Sequence, residues 1–262
     1  MYKRQRDYNH GQPLPIKITT WADVPPGSGL GTSSTIAVTI LSAFQELLSL
    51  PLGEYDLAHL AYEIERIDCG LAGGKQDQYA ATFGGFNFIE FYANDRVIVN
   101  PLRIRRKIEN ELQSSLLLYY TGNSRESANI IKDQIRTANA DLNENGDAIK
   151  AMHSIKQSAF ETKEKLLKGD ILGLADLFRN GWDAKKKTAT SVSNSEIDEL
   201  VHVATVAGAK AVKISGAGGG GFMMIFVDPI HRFNVINALS GFPGKFFPFQ
   251  FTQQGVEAWT VK

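Results

Sequence analysis

The sequence predicts an α/β (α+β) protein in two parts, because strand-like and helical segments surround two glycine-rich stretches. The alternating, β-branched segment Ile16–Trp21 is typical of a strand, and it leads into the glycine-rich residues Asp23–Thr35. The apolar run Ile36–Leu50 that follows has the length of a helix. A second glycine-rich stretch, Lys210–Val227, carries strand-like residues at both ends, and residues 127–207 are mostly helical in pattern.

Composition and charge exclude several classes of partner. Among the 262 residues, 28 are Lys or Arg and 28 are Asp or Glu, so nothing in the charge favours nucleic-acid binding. No apolar run approaches the roughly 18 residues of a membrane span, and the polar N-terminus is unlike a signal peptide. The single cysteine, Cys69, excludes an internal disulfide and favours a reducing, cytoplasmic location. The five histidines show no metal-ligand spacing.

The first glycine-rich stretch predicts a phosphate-binding loop. Gly27, Gly29 and Gly31 alternate, which leaves backbone N–H groups uncovered by side chains, and a helix starting just after them adds unpaired N–H groups. A Walker loop is excluded because no Gly-Lys-Ser or Gly-Lys-Thr occurs. The Rossmann fingerprint fails because Thr32 stands where its third glycine would be. The alternative is an ordinary glycine turn with a hydroxyl N-cap.

The next segments place one carboxylate in a glycine-rich setting. The spacing of apolar residues predicts a helix over Gly53–Ile67. Asp77 follows three glycines and precedes Tyr79–Phe83, after which Phe86–Phe91 is typical of a strand. Taken alone, Asp77 could be a helix cap or a functional carboxylate.

The middle of the chain contains the expected domain boundary. Residues 92–113 form a polar, basic connection with a short strand at Val97–Val99, and the boundary is placed near Leu112, giving domains of residues 1–112 and 113–262. A buried strand is predicted over Ser115–Tyr120, followed by a turn with Asn123 or Ser124 as N-cap. The later expected elements are helices at Ile130–Ala138, Ala148–Leu167, Ile171–Trp182, Glu196–Val206 and His231–Leu239, and a strand pair including Phe246–Phe251. Lys185–Lys187 are expected on a solvated face.

The second glycine-rich stretch formally satisfies the dinucleotide pattern GxGxxG at Gly216, Gly218 and Gly221. A strand, not a helix, follows these glycines, so the context of a dinucleotide fold is absent. A tight β-turn would explain some of the glycines, but five in six positions exceed what one turn needs.

Three motifs in the right order resemble those of the GHMP kinases (galacto-, homoserine, mevalonate and phosphomevalonate kinases). They are PPGSGLGTSS at residues 25–34, GKQDQ at residues 74–78 and KISGAGGGG at residues 213–221. The resemblance covers nearly the whole chain from about Ile16. It implies a ribosomal-S5-like first domain and a ferredoxin-like second domain with extra helices, with ATP between them.

The resemblance also implies roles for individual residues. Those assigned to ATP are Pro26, Gly27, Ser28, Gly29, Leu30, Gly31, Thr32, Ser33, Ser34, Gly216, Gly218 and Gly219. Asp77 matches the catalytic base of the family. Glu65 matches its magnesium-binding glutamate and would hold Mg²⁺ together with the hydroxyl of Ser33 or Ser34. The competing carboxylate, Asp68, lacks a motif match and is expected to be a cap.

Within the family, three local matches are similar to the sugar-phosphate kinases that act on the anomeric hydroxyl of D-glycero-D-manno-heptose 7-phosphate. They are ERIDCGLAGGKQDQYAATFGGFNF, LLLYYTGNSRESANII and KISGAGGGGFMMIF. In this branch, Arg125 would bind the phosphate that the substrate already carries. Galactokinase or fucokinase activity ranks below this, and mevalonate kinase activity lower still, because Gln76-Asp77-Gln78 replaces the expected Ser-Gly-x-Asp-Asn.

The N-terminus departs from the family pattern. GHMP kinases carry a substrate motif well before the glycine loop, whereas only 22 residues precede Asp23 here and none of them matches it. The expectation is an N-terminally incomplete copy with little or no turnover of sugar phosphate. The alternatives are a catalytically silent nucleotide-binding protein and an ATP-dependent decarboxylase of the same superfamily. The oligomeric state is left open.

Overall fold

The computed structural model describes residues 2–123, 127–140 and 146–261, which separate into two units. The first unit holds the chain up to Pro26, Gly31–Pro101 and the chain from Thr252 onward. Its elements are α1 (Tyr2–Tyr8), α2 (Thr32–Leu48), α3 (Glu54–Tyr62), a π-helical turn (Glu63–Asp68), α4 (Gln76–Phe83), β1 (Asn87–Phe91) and β2 (Val97–Pro101). The two strands pair antiparallel as a hairpin.

Three helices of the first unit pack around small apolar clusters. Val38 and Leu41 of α2 meet Leu57 and Leu60 of α3, which lie three residues apart on one helical face. The helix α4 contributes the buried Tyr79 to a second cluster. These contacts fix the N-terminus of α2 and the first turn of α4 within one packed unit.

The predicted strand at Ile16–Trp21 is wrong. These residues form no regular element, and the side chain of Trp21 is 86% exposed. A strand needs a neighbour to pair with, and within the described ranges no segment hydrogen-bonds to this one as a strand. The alternating pattern was present, but the pairing that it requires was not.

The second unit holds Gly27–Leu30 and Leu102–Phe251. Its elements are α5 (Arg106–Ser114), β3 (Leu116–Tyr120), α6 (Ser127–Ala140), α7 (Asp147–Lys168), α8 (Ile171–Lys186), a 3₁₀ turn (Thr190–Val192), α9 (Ser195–Val206), β4 (Ala209–Ile214), β5 (Phe222–Val227), a second 3₁₀ turn (Pro229–His231), α10 (Arg232–Leu239) and β6 (Lys245–Phe247). The strands form an antiparallel sheet in the order β4-β5-β3-β6.

Helices cover both faces of this sheet. Val212 and Ile214 of β4 face a core shared with α9 and α10, where Ala204 and Val235 are fully buried. On the opposite face α8 packs along β4, and α7 packs on α8. The alternation of a strand therefore places odd and even side chains of β4 in two different environments.

Most expected elements of the second unit are confirmed, with three differences. A nine-residue helix, α5, occupies the stretch expected to be a polar connection. The helix was missed because it has few apolar positions and an otherwise charged surface. The helix α8 continues past Trp182 to Lys186, and β6 is only three residues long. Within the described ranges, no helix is both long and apolar enough to cross a membrane.

Candidate active site

The glycine loop adopts a backbone that other residues would strain. Gly29 has φ of 76°, and a β-carbon placed on it would lie 2.9 Å from the carbonyl oxygen of Ser215. The neighbouring Ser28 is buried, and its carbonyl oxygen accepts a hydrogen bond of 2.8 Å from the N–H of Phe222. The loop is thus held against the β4–β5 hairpin by backbone contacts that leave no room for side chains.

The helix α2 begins directly after the loop, at Thr32. Gly31 is its N-cap and supplies no side-chain hydrogen bond, and the first turn carries no acidic residue. The N–H groups of Ser33 and Ser34 have no carbonyl acceptor within the helix, and the helix dipole adds positive potential at this end. The predicted phosphate cradle therefore has the backbone groups that an anion requires.

Asp77 lies against this loop. A β-carbon on Gly31 would be 3.2 Å from the carboxyl carbon of Asp77, so only a glycine permits the approach. Asp77 stands in the first turn of α4, whose N-cap is Lys75, and it is not the cap of that helix. Its side chain is exposed and can be reached by a reactant.

Two side chains, Ser33 and Gln78, bind Glu65 and orient it, and we call these three residues together with Ser34 the Glu65 cluster. The hydroxyl of Ser33 donates to one carboxylate oxygen of Glu65 at 2.7 Å, and the amide of Gln78 donates to the other at 2.6 Å. The same amide nitrogen lies 3.1 Å from the hydroxyl oxygen of Ser34. Glu65 is only 4% exposed, so these bonds offset the cost of burying its charge.

Sequence analysis missed the role of Gln78. This residue is fully buried, and its side-chain oxygen has no hydrogen-bond partner among the described residues. A buried, half-satisfied amide is uncommon and usually marks a constrained site. In the sequence, its place beside Asp77 in the GKQDQ motif was the only signal of a role for Gln78. In the structure, the π-helical turn that carries Glu65 is a further sign of a functional site, since π turns often occur at such sites.

The environment of Asp77 is tuned by charge. Desolvation by surrounding protein atoms raises the pKa of Asp77, the positive charge of Arg66 opposes this, and the negative charge of Glu65 reinforces it. Arg66 is itself fixed, because its guanidinium donates to the carbonyl oxygens of Gly74 at 3.2 Å and Ala72 at 3.5 Å. The competing carboxylate, Asp68, instead accepts a hydrogen bond of 2.9 Å from Arg4.

The second glycine-rich stretch divides into two kinds of contact. A β-carbon on Gly216 would come within 2.7 Å of the carbonyl oxygen of Gly29, so this residue packs on the phosphate loop. By contrast, the N–H of Gly219 donates to Val192 at 2.8 Å, and Gly218 also packs against Val192. The hairpin therefore touches the loop through part of its length only.

The turn after β3 also meets the hairpin. The N–H of Gly221 donates to the carbonyl oxygen of Asn123 at 2.8 Å, and the side chain of Asn123 donates to Glu196 at 2.9 Å. Arg125, the residue expected to bind a substrate phosphate, lies outside the described residues, as does Ser124.

The expectation of a solvated face at Lys185–Lys187 is wrong for Lys185. This side chain is half-buried, and its ammonium group donates to the carbonyl oxygen of Gly216. Burial, followed by repulsion from the half-buried Lys213, lowers the pKa of Lys185 to about 8. Burial lowers the pKa of Lys213 as well. Lys187 is exposed, as expected.

Comparison with known proteins identifies the family. Residues 1–85 match the family model of the GHMP kinase N-terminal domain, and residues 162–244 match the family model of the GHMP kinase C-terminal domain. The D-glycero-alpha-D-manno-heptose 7-phosphate kinase of Campylobacter jejuni is 48% identical over 252 residues, which are 95% of this chain and 72% of that protein. The chain belongs to the GHMP kinase family and is accordingly a kinase, for which ATP is the phosphoryl donor.

Solved structures show the same relationship. The crystal structure of a D-glycero-D-manno-heptose 1-phosphate kinase from Bacteroides thetaiotaomicron matches with a TM-score of 0.80 and 47% identity, covering 100% of this chain and 73% of that one. A putative sugar kinase from Campylobacter jejuni matches with a TM-score of 0.80 and 46% identity, covering 99% of this chain and 74% of that one. The predicted α/β fold class of the GHMP kinases is confirmed.

Proposed function

We propose that the chain transfers the terminal phosphoryl group of ATP to the anomeric hydroxyl of D-glycero-D-manno-heptose 7-phosphate. The observation that carries the proposal is the close approach of Asp77 to Gly31, which puts a carboxylate that can act as a base next to the glycine loop. The similarity to heptose phosphate kinases supports the sugar. The reaction is placed in the cytoplasm, where a free, exposed cysteine such as Cys69 stays reduced.

The loop and the start of α2 supply the phosphate binding. Gly29 and Gly31 leave the backbone open, and the N–H groups of Ser33 and Ser34 face the end of the helix where negative charge is stabilised. Phosphoryl transfer depends mostly on such positioning and charge stabilisation, because little covalent chemistry falls to the protein.

Asp77 would act as the general base. Its carboxylate accepts the proton of the attacking sugar hydroxyl as the oxygen forms a bond to the terminal phosphorus and the bond to the ADP oxygen breaks. The raised pKa of Asp77 makes it a better proton acceptor than an ordinary aspartate. Arg66 would keep enough of the carboxylate ionised at neutral pH.

The Glu65 cluster suits Mg²⁺. This ion prefers hard oxygen ligands and keeps several of its waters, so one carboxylate and one or two hydroxyls are sufficient protein ligands. Glu65, Ser33 and Ser34 offer such oxygens within one hydrogen-bonded group. Within the described ranges, no group of three or more His, Cys, Asp or Glu side chains offers an alternative metal site. Bound Mg²⁺ neutralises phosphate charge.

The direct test measures ADP release with a panel of acceptors. Heptose 7-phosphate should give the highest rate of ADP release in the panel. L-Fucose, galactose and mevalonate should give at most a few per cent of that rate. Turnover with any of these three, but not with the heptose phosphate, would assign a different substrate. ATP binding without turnover on any acceptor would show a catalytically silent protein.

A further inference from the structure

Two lysines lie where α8 covers the sheet of the second unit: Lys185 on α8 and Lys213 on β4, which we call the lysine pair. Lys213 lies on β4 between Val212 and Ile214, so strand alternation turns it away from the core and toward α8. Its ammonium group is 4.8 Å from the ring centroid of Phe178 on α8. Lys185 follows Phe178 by seven residues, two helical turns later on the same face.

The lysine pair differs from its neighbours in its ionic partners. Within the described ranges, no carboxylate forms a salt bridge with either ammonium group, whereas the adjacent Lys186 pairs with Asp183 at 3.2 Å. Lys185 donates to the carbonyl oxygen of Gly216, and Lys213 rests over an aromatic ring. Two cations that repel each other are therefore held half-buried, and no carboxylate of the described residues pairs with either of them.

Structural roles account for only part of this arrangement. Lys185 lies in the last turn of α8, where a cation is favourable, and this could explain its presence alone. Lys213 stands within a strand, and an apolar residue there would fill the same space without the cost of burying an ammonium group. A charge retained at such a place is consistent with a ligand that supplies a negative counter-charge.

The position of the pair narrows the kind of ligand. Gly216, the acceptor for Lys185, packs on Gly29 of the phosphate loop, and all of these residues belong to the second unit. An ammonium group that donates once to a carbonyl oxygen keeps two N–H donors, and lysine commonly binds phosphate as a point charge. A phosphate group close to the loop would be near Lys185, whose ammonium group feels the charge of Lys213.

We propose that Lys185 and Lys213 form a binding site for a phosphoryl group of one of the two phosphate-bearing reactants. The ligand is a phosphate dianion, carried either by the nucleotide or by the sugar phosphate. The inference rests on the proposed function in one respect, because the sugar phosphate it names is the substrate proposed above. A site that takes the phosphate of the sugar would explain how the enzyme distinguishes a sugar phosphate from the free sugar.

The first test uses NMR of the full chain with lysine labelled at Cε. The Lys185 signal, assigned by its loss in Lys185→Met, is titrated with pH in the absence and presence of inorganic phosphate, ADP, heptose 7-phosphate and unphosphorylated heptose. Inorganic phosphate should raise the pKa of Lys185 by about one unit or more, since an opposite charge within a few ångströms has that effect. Free heptose should leave the pKa of Lys185 unchanged. None of the probes should change the pKa of Lys187, which serves as the control.

The arms identify the source of the phosphate. A rise with heptose 7-phosphate but not with ADP assigns the pair to the substrate, and the reverse assigns it to the nucleotide. An unchanged pKa with all three phosphate-bearing probes would overturn the proposal. No ADP release together with an intact lysine response would instead refute the proposed function and leave the phosphoryl site standing.

Kinetics give a second readout. Lys185→Met should raise KM for the reactant that shifts the Lys185 signal by about 10- to 100-fold, the effect of losing a hydrogen bond to a charged group, with a smaller change in KM for the other. Lys185→Arg should restore part of the loss. The control Lys187→Met alters an exposed neighbour on the same helix and should leave both KM values within about twofold. Unchanged KM values in both Lys185→Met and Lys213→Met would also contradict the proposal.

Discussion

The Glu65 cluster of the first unit and the lysine pair of the second unit both hold charge away from water, but they balance it differently. Both carboxylate oxygens of Glu65 accept hydrogen bonds from side chains of the same unit. The ammonium groups of Lys185 and Lys213 find no carboxylate among the described residues, and the first repels the second.

These two ways of holding a buried charge are recognised by different observations. A buried charge whose oxygens are all hydrogen-bonded, as in Glu65, is preorganised: its geometry is fixed before any ligand binds, and removing one donor disturbs the fold and the site together. An unbalanced pair destabilises the free protein and is relieved when a counter-charge arrives. The first kind is revealed by hydrogen-bond distances, and the second by the absence of a partner near a half-buried charge.

The largest effect is expected from Asp77→Asn, which removes the carboxylate that we propose as the base. ADP release should fall by roughly 10²-fold or more, the contribution of a general base. ATP affinity, measured by calorimetry, should change little, because Asp77 is not among the groups that bind phosphate. Asp68→Asn is the matched control, since that carboxylate binds Arg4, and it should retain nearly full turnover. Equal losses in both variants would remove the special role of Asp77.

The next effect is on ATP affinity in Gly29→Val. The substitution combines strain at a positive φ with a clash against the Ser215 carbonyl, and such strain costs about 1–3 kcal/mol. We expect ATP to bind roughly 10- to 100-fold more weakly in calorimetry on the folded variant. Gly241→Val is the control, because a β-carbon there meets nothing within 4 Å. Unaltered affinity in Gly29→Val would mean that the loop does not hold the phosphates.

A moderate effect on stability is expected when a hydrogen bond of the Glu65 cluster is removed. Gln78→Leu leaves one buried oxygen of Glu65 without its donor, which costs about 2 kcal/mol and should lower the thermal midpoint by roughly 4–8 °C. Gln76→Leu changes an exposed residue two positions earlier and should stay within about 1 °C of wild type. If the two variants unfold alike, the Gln78 amide does not support Glu65.

The smallest effect should have the opposite sign. In the absence of ligand, Lys185→Met should raise the thermal midpoint at neutral pH, because it removes an unbalanced charge. The folded pKa, about 8, lies below the usual value of 10.5, so the unfolded chain binds the proton more tightly, and the charge destabilises the fold below about pH 8. That destabilisation fades as the pH rises from about 8 to 10.5. A midpoint difference that grows with pH would contradict this assignment.

The sequence was sufficient for the parts of the site that depend on local pattern. Glycines at alternate positions before Thr32 predicted the loop, and the motif around Asp77 predicted the carboxylate that the structure places beside it. Most of the strands and helices also followed from periodicity, with Ile16–Trp21 as an exception. In each of these cases, the structural feature depends on residues that are close together in the sequence.

The rest depended on contacts between distant residues. Gln78 gains its role from Glu65, thirteen positions earlier, and Lys213 gains its burial from α8. No local pattern distinguishes a lysine that pairs with solvent from one that lies under a helix. Ile16–Trp21 failed for the same reason, because a strand requires a partner that periodicity does not supply.

The central claim, that Asp77 accepts the proton of the sugar hydroxyl, is tested most directly by the pH dependence of kcat/KM. A base must be ionised, so the rate should fall on the acid side, with a midpoint above the ordinary aspartate pKa because desolvation by surrounding protein atoms raises the pKa of Asp77. The residual activity of Asp77→Asn should lack this acid limb. An acid limb with the same midpoint in the wild type and in Asp77→Asn would show that another group is the base.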